Sequence, residues 1–195
     1  MTPRRVSAKF FVRPDPAAAA DLRPFIGLFH RFIQRGALEG LLLDVADYAH
    51  VPAGPGVILI GDDVDYALDL AGGRAGLLTV RKRHPGLPLG ELLRDTLRRG
   101  LVAVREVEAE GSTGLRFATG EIELRFIDQL EAPNTQAAYE SACKDLEPLA
   151  TRLFGAAGFA LARVGAEDPR RMLAVSLSAP AAAEASALLE RLGTA

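Results

Sequence analysis

Three aspartates that follow an apolar run are the residues of this chain best suited to metal chemistry. Asp62, Asp63 and Asp65 come directly after Val57-Ile-Leu-Ile-Gly. Carboxylates at alternate positions of a strand end lie on one face, so Asp63 and Asp65 could share a Mg²⁺ or Mn²⁺ that holds a phosphorylated substrate. The alternative is structural, because Arg81 and Arg83 on a following strand could neutralise these carboxylates across a hairpin. The first interpretation predicts a small metal-dependent enzyme and the second a salt-bridged face.

A loop rich in proline and glycine, His50-Val-Pro-Ala-Gly-Pro-Gly56, is a candidate ligand site. Glycines such as Gly54 and Gly56 let backbone N–H groups converge on an anion, and His50 can titrate near neutral pH. The loop lacks the Gly-Lys-Ser/Thr of a phosphate-binding loop, and an apolar strand follows it where that motif needs a helix. It is therefore either a ligand-contacting loop or a tight connection between two buried strands.

A basic segment, Arg81-Lys82-Arg83-His84, adds Arg81 and Arg83 to the candidate ligand contacts, with Arg98 and Arg99 further along the chain. It suits a small anionic ligand, an acidic protein partner or an ordinary solvated surface. Nucleic acid is disfavoured, because the aromatic residues lie mostly on helix stripes, and no RNA-binding signature surrounds Phe117 and Phe126 on their strands. Outside the three aspartates, no metal or cofactor is predicted, since the three histidines and single cysteine lack zinc-ligand spacing.

The charge of the 195-residue chain is small only as a sum. Its 23 basic and 25 acidic residues give −2, yet residues 36–73 hold seven acids and no base, while residues 74–105 hold eight bases and two acids. The lone Cys143, on an apolar helix stripe, is predicted to be a buried packing residue and fits a reducing compartment. With no apolar run of membrane-spanning length and no signal-peptide pattern, the sequence predicts a cytoplasmic protein without a membrane partner.

The elements that must position these residues follow from hydrophobic periodicity. Strands are predicted at 9–13, 41–48, 57–60, 64–70, 78–83, 115–118, 121–127, 159–164 and 172–178, and helices after Asp21, Pro88, Thr135 and Pro180. In the second helix, Leu89, Leu92, Leu93, Thr96, Leu97, Gly100, Leu101 and Val104 form one face, from which Arg94, Arg98 and Arg99 project away.

Alternation of apolar and polar residues predicts one hairpin in detail. Leu70 would pair with Leu78 and Leu68 with Val80, which places Asp65 opposite Arg83 and Ala67 opposite Arg81. Leu78 and Val80 would then share the core face with Leu68.

The order of elements repeats, and it predicts an α+β fold with a mainly antiparallel sheet and helices on one face. Two ferredoxin-like (βαββαβ-type) halves are expected, residues 1–118 with an inserted hairpin at 62–83, and residues 119–195 without a last strand. Asp21-Leu-Arg-Pro-Phe25 and Asp145-Leu-Glu-Pro-Leu149 are similar at corresponding helices, which suggests an internal duplication within one compact unit.

Three short motifs resemble a widespread group of uncharacterised small bacterial proteins. They are His50-Val-Pro-Ala-Gly-Pro-Gly-Val57, Gly73-Arg-Ala-Gly-Leu-Leu78 and Ala132-Pro-Asn-Thr135. The resemblance implies no activity. Because the core pattern is orderly and no self-consistent catalytic set accompanies it, we expect a non-enzymatic binding or assembly module that acts through loops or a sheet face. The metal-dependent enzyme is the alternative, and a homo-oligomer, such as a homodimer, is a further expectation for sheets of this kind.

Overall fold

A single antiparallel sheet of eight strands organises the described part of the chain. The computed structural model describes residues 1–13, 21–51, 54–155, 158–180 and 183–193. The strands lie in the order β2-β3-β4-β5-β1-β6-β8-β7, so β2 and β7 are the two edges. Their bounds are β1 Val6–Val12, β2 Leu42–Tyr48, β3 Gly56–Gly61, β4 Val64–Asp69, β5 Gly76–Arg81, β6 Phe117–Phe126, β7 Ala160–Val164 and β8 Ala174–Ser178.

Four helices cover one face of this sheet. They are α1 Arg23–Arg35, α2 Leu89–Glu110, α3 Gln136–Phe154 and α4 Ala185–Leu192. Helix α2 lies over β1 and β5, α1 lies over β2 and β3, and α3 and α4 pack beside α2. The predicted α+β class and antiparallel sheet are therefore confirmed. Within the described ranges, no helix is long and apolar enough to cross a membrane.

The predicted apolar face of α2 is confirmed, but one residue predicted to project from the helix is buried. All eight positions of the predicted stripe are buried, because their three- and four-residue spacing aligns them along one side of the helix. Arg99 was predicted to project away, yet it is only 7% exposed. Its burial depends on ion pairs with Asp95 and Glu39, which helical periodicity does not reveal.

The predicted register of the β4–β5 hairpin is wrong by three residues. Leu68 pairs with Leu77, and Val64 pairs with Arg81, so Asp65 lies opposite Val80 and not Arg83. The pairing is symmetric about Gly72 and Gly73, which both have positive φ in the connection between the strands. An odd shift exchanges the two faces of a strand. Leu77, Thr79 and Arg81 therefore face the helices, while Leu78 and Val80 lie on the open face.

Helix α2 packs closely against the face of β5 that carries Thr79 and Arg81. A methyl group at Gly100 would lie 2.4 Å from Phe10 Cε2 and 3.2 Å from Thr79 Oγ1, so only glycine fits there without movement. Arg81, at 6% exposure, is neutralised by Asp95 of α2. At Thr79 and Arg81, close packing against the helix backbone and an ion pair thus take the place of the apolar contacts that a core-facing strand usually makes.

Strand β6 is one continuous strand where two were predicted. It runs from Phe117 to Phe126 and joins β1 on one side and β8 on the other. Phe117 and Phe126 are fully buried, so neither ring is available for stacking on a base. The strand passes through the boundary at residues 118 and 119 that separates the two predicted halves.

Candidate interaction surface

The three aspartates that suggested a metal site lie in and beside the tight β3–β4 turn, and each faces a cation. Asp62 contacts the Arg83 guanidinium, and Asp63 Oδ2 lies 3.4 Å from Arg81 Nη1. Asp65 Oδ1 lies 2.8 Å from Lys82 Nζ. The predicted pairing of Asp65 with Arg83 is therefore wrong, because the register shift exchanges partners within the group.

In this arrangement, basic side chains of the protein neutralise the negative charge of the aspartates. In the part of the chain that the structure describes, no group of three or more His, Cys, Asp or Glu side chains is positioned to hold a metal ion. Any Mg²⁺ bound between Asp63 and Asp65 would have to displace the ammonium of Lys82 and compete with Arg81. The geometry favours the salt-bridged interpretation.

Asp95 of α2 joins three arginines below this turn. Its carboxylate lies 2.9 Å from Arg81 Nε, 3.0 Å from Arg99 Nε and 3.1 Å from Arg98 Nη2. Glu39 bridges Arg98 and Arg99 from the loop that precedes β2. Burial raises the pKa of Asp95, but attraction to Arg99, Arg98 and Arg81 outweighs it and holds the pKa below its usual value.

The same cluster lies against a buried phenol. Tyr66 on β4 is 1% exposed, and burial raises its pKa to about 12, with Arg99 opposing that rise. The phenol therefore stays protonated throughout the physiological range. Residues 36–73 and 74–105, which carry opposite charge, are tied together by this cluster and by the pairs at the β3–β4 turn.

The basic residues that suggested an anionic ligand are occupied in the same way. Arg81, Lys82, Arg83, Arg98 and Arg99 each contact at least one carboxylate. Binding of a phosphate would require it to replace these carboxylates. These five residues therefore offer little free positive charge to a ligand.

The loop after β2 lies at the other end of β3 from the charge cluster. Tyr48 and His50 stack with ring centroids 6.3 Å apart, while Pro52 and Ala53 lie outside the described residues. A methyl group at Gly56 would come within 2.2 Å of the Leu68 carbonyl oxygen, so this glycine permits close approach of β3 and β4. Gly54 donates its N–H to the Val51 carbonyl at 3.0 Å, as in a tight turn. The candidate ligand residues His50, Gly54 and Gly56 are thus separated from Arg81 and Arg83 by the length of the strand, about 17 Å.

On the open face, the central strands carry a buried ion pair that the sequence did not suggest. Lys9 Nζ lies 2.6 Å from Asp69 Oδ2, and Lys9 is 1% exposed. Beside it, the Arg74 guanidinium lies 3.9 Å from the centre of the Phe11 ring and pairs with Glu121. The hydrogen bond from Arg74 lowers the pKa of Glu121. Charge is compensated here also.

Cys143 is half-buried, not fully buried as predicted. It lies in an open groove of about 610 Å³ between α3 and β7, because its position on the helix faces the rim of the core. Burial raises the pKa of its thiol, and the neighbouring carboxylates of Glu147 and Glu140 act in the same direction. The thiol is therefore protonated and poorly nucleophilic.

The segment of residues 41–51, which we call the β2 edge, differs from these surfaces in its exposed apolar side chains and in its acids. Four of the six large hydrophobic side chains that are exposed in the described ranges belong to it, namely Leu41, Leu43, Tyr48 and Val51. Among residues 36–73, five acids have a basic partner, whereas Asp44 and Asp47 of β2 make no ion pair within the described residues. Exposed apolar side chains and negative charge without a basic partner therefore coincide in one segment.

A groove extends this surface toward α1. It has a volume of about 510 Å³ and is lined by Asp21, Leu22, Arg23, Ile26, Asp47, Ala49, Val57 and Leu70. The helix predicted after Asp21 has Leu22 as its N-cap residue, and the Asp21 carboxylate accepts the Arg23 backbone N–H at 3.1 Å. Hydrogen bonds from Arg23 lower the pKa of Asp21.

Comparison with protein-family models, with curated proteins and with solved structures finds no significant match. The resemblance of the short motifs to a bacterial family stays a prediction.

Proposed function

We propose that the chain is a non-enzymatic binding or assembly module that acts through the β2 edge of its sheet. The observation that carries this proposal is the contrast between the two kinds of surface. The aspartates and basic residues suited to metal or phosphate chemistry are held in ion pairs, whereas the β2 edge exposes apolar side chains and two carboxylates that have no basic partner among the described residues. Several exposed large apolar side chains within one short segment are typical of protein interaction sites.

Site-specific photo-crosslinking tests this proposal with a matched control. A benzophenone amino acid replaces Leu43, which is 52% exposed on β2, or Leu130, which is 91% exposed and follows β6, five strands away from β2 in the sheet. In extract of the source cells, we expect a discrete protein adduct from position 43 and none of the same mass from position 130. Absence of any adduct at position 43, or the same adducts from both positions, would contradict the proposal.

The alternative, a small metal-dependent enzyme that uses Asp62, Asp63 and Asp65 on a phosphorylated substrate, makes a different prediction. Binding of Mg²⁺ or Mn²⁺ would raise the melting temperature by mass action, and Asp63→Ala would abolish that rise while Asp47→Ala would not. We expect no rise that depends on Asp63. Such a rise, or turnover that is lost in His50 or Asp63 variants, would favour the enzyme.

We also propose that the chain consists of two ferredoxin-like halves that share β6. In such a βαββαβ unit, the first strand lies between the third and the fourth, and the second lies beside the third. The order β4-β5-β1-β6 supports this for the first half, with β2 and β3 as the inserted pair in place of the hairpin at 62–83. The order β6-β8-β7 supports a second half without a last strand, whose place beside β6 is taken by β1.

A further inference from the structure

The backbone of β2 has a neighbour on one side only. It pairs with β3, and within the described residues no strand lies beyond it. The Val45 N–H donates instead to Oδ1 of Asp44 at 2.8 Å, and the Ala49 N–H donates to Oδ1 of Asp47 at the same distance. An edge strand with backbone groups that no strand satisfies is a template for a further strand.

Charge determines which strand the β2 edge would accept. Asp44 and Asp47 are exposed and lack a basic partner in the described part of the chain, whereas the other five acids of residues 36–73 have one. Opposite charges on adjacent strands stabilise their pairing, and like charges destabilise it. A segment with Lys or Arg opposite Asp44 and Asp47 is therefore favoured over a neutral or acidic one.

The same charges disfavour a second copy of this chain as the occupant. Antiparallel pairing of β2 with β2 of another molecule would bring two pairs of aspartates together at the shared edge. No lysine or arginine occurs in residues 36–73 to offset them.

The apolar side chains supply the remaining contact. Leu41, Leu43 and Tyr48 are 65%, 52% and 43% exposed. On the open face beside β2, the half-buried Ile58 and Ile60 of β3 continue this surface, because they pair with Ala46 and Asp44. An added strand with apolar residues between its basic ones would cover these side chains.

We propose that β2 binds an extended, basic segment of a partner protein as a ninth strand of the sheet. The proposal rests on the function proposed above and specifies its partner. Main-chain hydrogen bonds would give affinity, as in other cases of strand addition, and Asp44 and Asp47 would select basic residues three positions apart. Since these two carboxylates lie on opposite faces of the strand, the two basic side chains project to opposite faces as well.

The test uses the full chain and a fluorescent peptide, acetyl-Thr-Val-Lys-Val-Thr-Lys-Val-Thr-amide, measured by fluorescence anisotropy. We expect saturable binding that Asp44→Asn combined with Asp47→Asn weakens about tenfold, because the double variant removes both charge pairs with the peptide lysines. The matched control, Glu131→Gln combined with Glu140→Gln, changes the net charge equally at exposed sites elsewhere and should alter affinity less than about twofold. Equal weakening by both double variants, or equal binding of a peptide with Glu in place of Lys, would overturn the proposal.

Two further measurements separate strand addition from its alternatives. N-methylation of alternate peptide amides blocks one edge of the peptide, so one methylated series should lose binding and the other retain it. Equal binding of both series would overturn strand addition. Sedimentation velocity at micromolar concentration should show a monomer, and a dimer that Leu43→Lys dissociates would identify a second copy as the occupant. Failure of the peptide with a persistent crosslink at position 43 refutes the basic strand alone, whereas loss of both refutes the proposed function.

Discussion

Replacement of Asp95 by asparagine tests the charge cluster that joins α2 to the sheet. The variant retains the volume of the side chain but removes the negative charge that neutralises Arg81, Arg98 and Arg99. Arg81 and Arg99 are only 6% and 7% exposed, so their guanidinium groups cannot recover full hydration. The asparagine carbonyl oxygen can still accept hydrogen bonds, but the NH₂ group that replaces the second carboxylate oxygen cannot, and the negative charge is lost.

The expected loss of free energy of unfolding depends on which partners Arg81 and Arg99 retain in the variant. Removal of one member of a buried ion pair typically costs about 3–5 kcal/mol. Arg99 keeps Glu39 at 2.9 Å and Arg81 keeps Asp63 at 3.4 Å, although these carboxylates are 57% and 42% exposed and compensate only in part. We therefore expect Asp95→Asn to lower the free energy of unfolding by about 2–4 kcal/mol.

Urea denaturation at pH 7 measures this change, and Glu91→Gln is the control. Glu91 is an exposed acid in the first turn of the same helix, so its neutralisation should cost at most about 1 kcal/mol through the helix dipole. An unchanged dependence of stability on urea would show that the unfolded state is unaffected. If the two variants lost equal stability, the role assigned to the cluster would be refuted.

Three other predictions address pH, packing and the buried pair on the open face. The pKa of Asp95 is lowered in the folded protein, so its contribution to the free energy of unfolding is fully present above about pH 4, where the unfolded side chain ionises. That contribution is lost as the pH falls through the lower folded pKa. The free energy of unfolding, followed by circular dichroism, should therefore fall less steeply with acid in Asp95→Asn than in the natural chain, and equal slopes would contradict this. Gly100→Ala should destabilise the protein by about 1–2 kcal/mol in thermal unfolding, because the new methyl group overlaps Phe10 Cε2. The control, Gly27→Ala on the exposed side of α1, should stabilise it by up to about 1 kcal/mol. Stabilisation by both substitutions would show that α2 is free to move. Lys9→Met should lower the free energy of unfolding by about 3 kcal/mol, because Asp69 is then buried without its cation. Addition of Asp69→Leu should recover most of that loss in urea denaturation. Additive losses from the two substitutions would refute the coupling of the pair.

The sequence predicted those features that local periodicity determines. The stripe from Leu89 to Val104 identified the buried side of α2, because helix geometry alone aligns those residues. The register of β4 and β5 was missed, since Leu78 and Val80 are as apolar as Leu77 and only the position of the turn at Gly72 and Gly73 decides which of them faces the helices.

The candidate surface depends on contacts between residues distant in sequence, so it was harder to predict. The sequence indicated that the aspartates near Asp63 have arginine partners, but Lys9–Asp69 joins residues sixty positions apart and no local pattern marks it. The exposure of Leu41 and Leu43 follows from the edge position of β2, which the order of all eight strands determines. One signal was present: Leu42-Leu-Asp-Val-Ala-Asp-Tyr48 does not alternate as a half-buried strand should.

In our proposal, the β2 edge is the surface through which this protein binds its partner. Amide hydrogen exchange with and without the lysine-containing peptide tests it directly, because exchange reports which backbone N–H groups gain hydrogen bonds. We expect slower exchange confined to residues 42–48 and their immediate neighbours, with no change at the opposite edge, β7. Unchanged exchange in β2 at saturating peptide, or protection at β7 in its place, would contradict the claim.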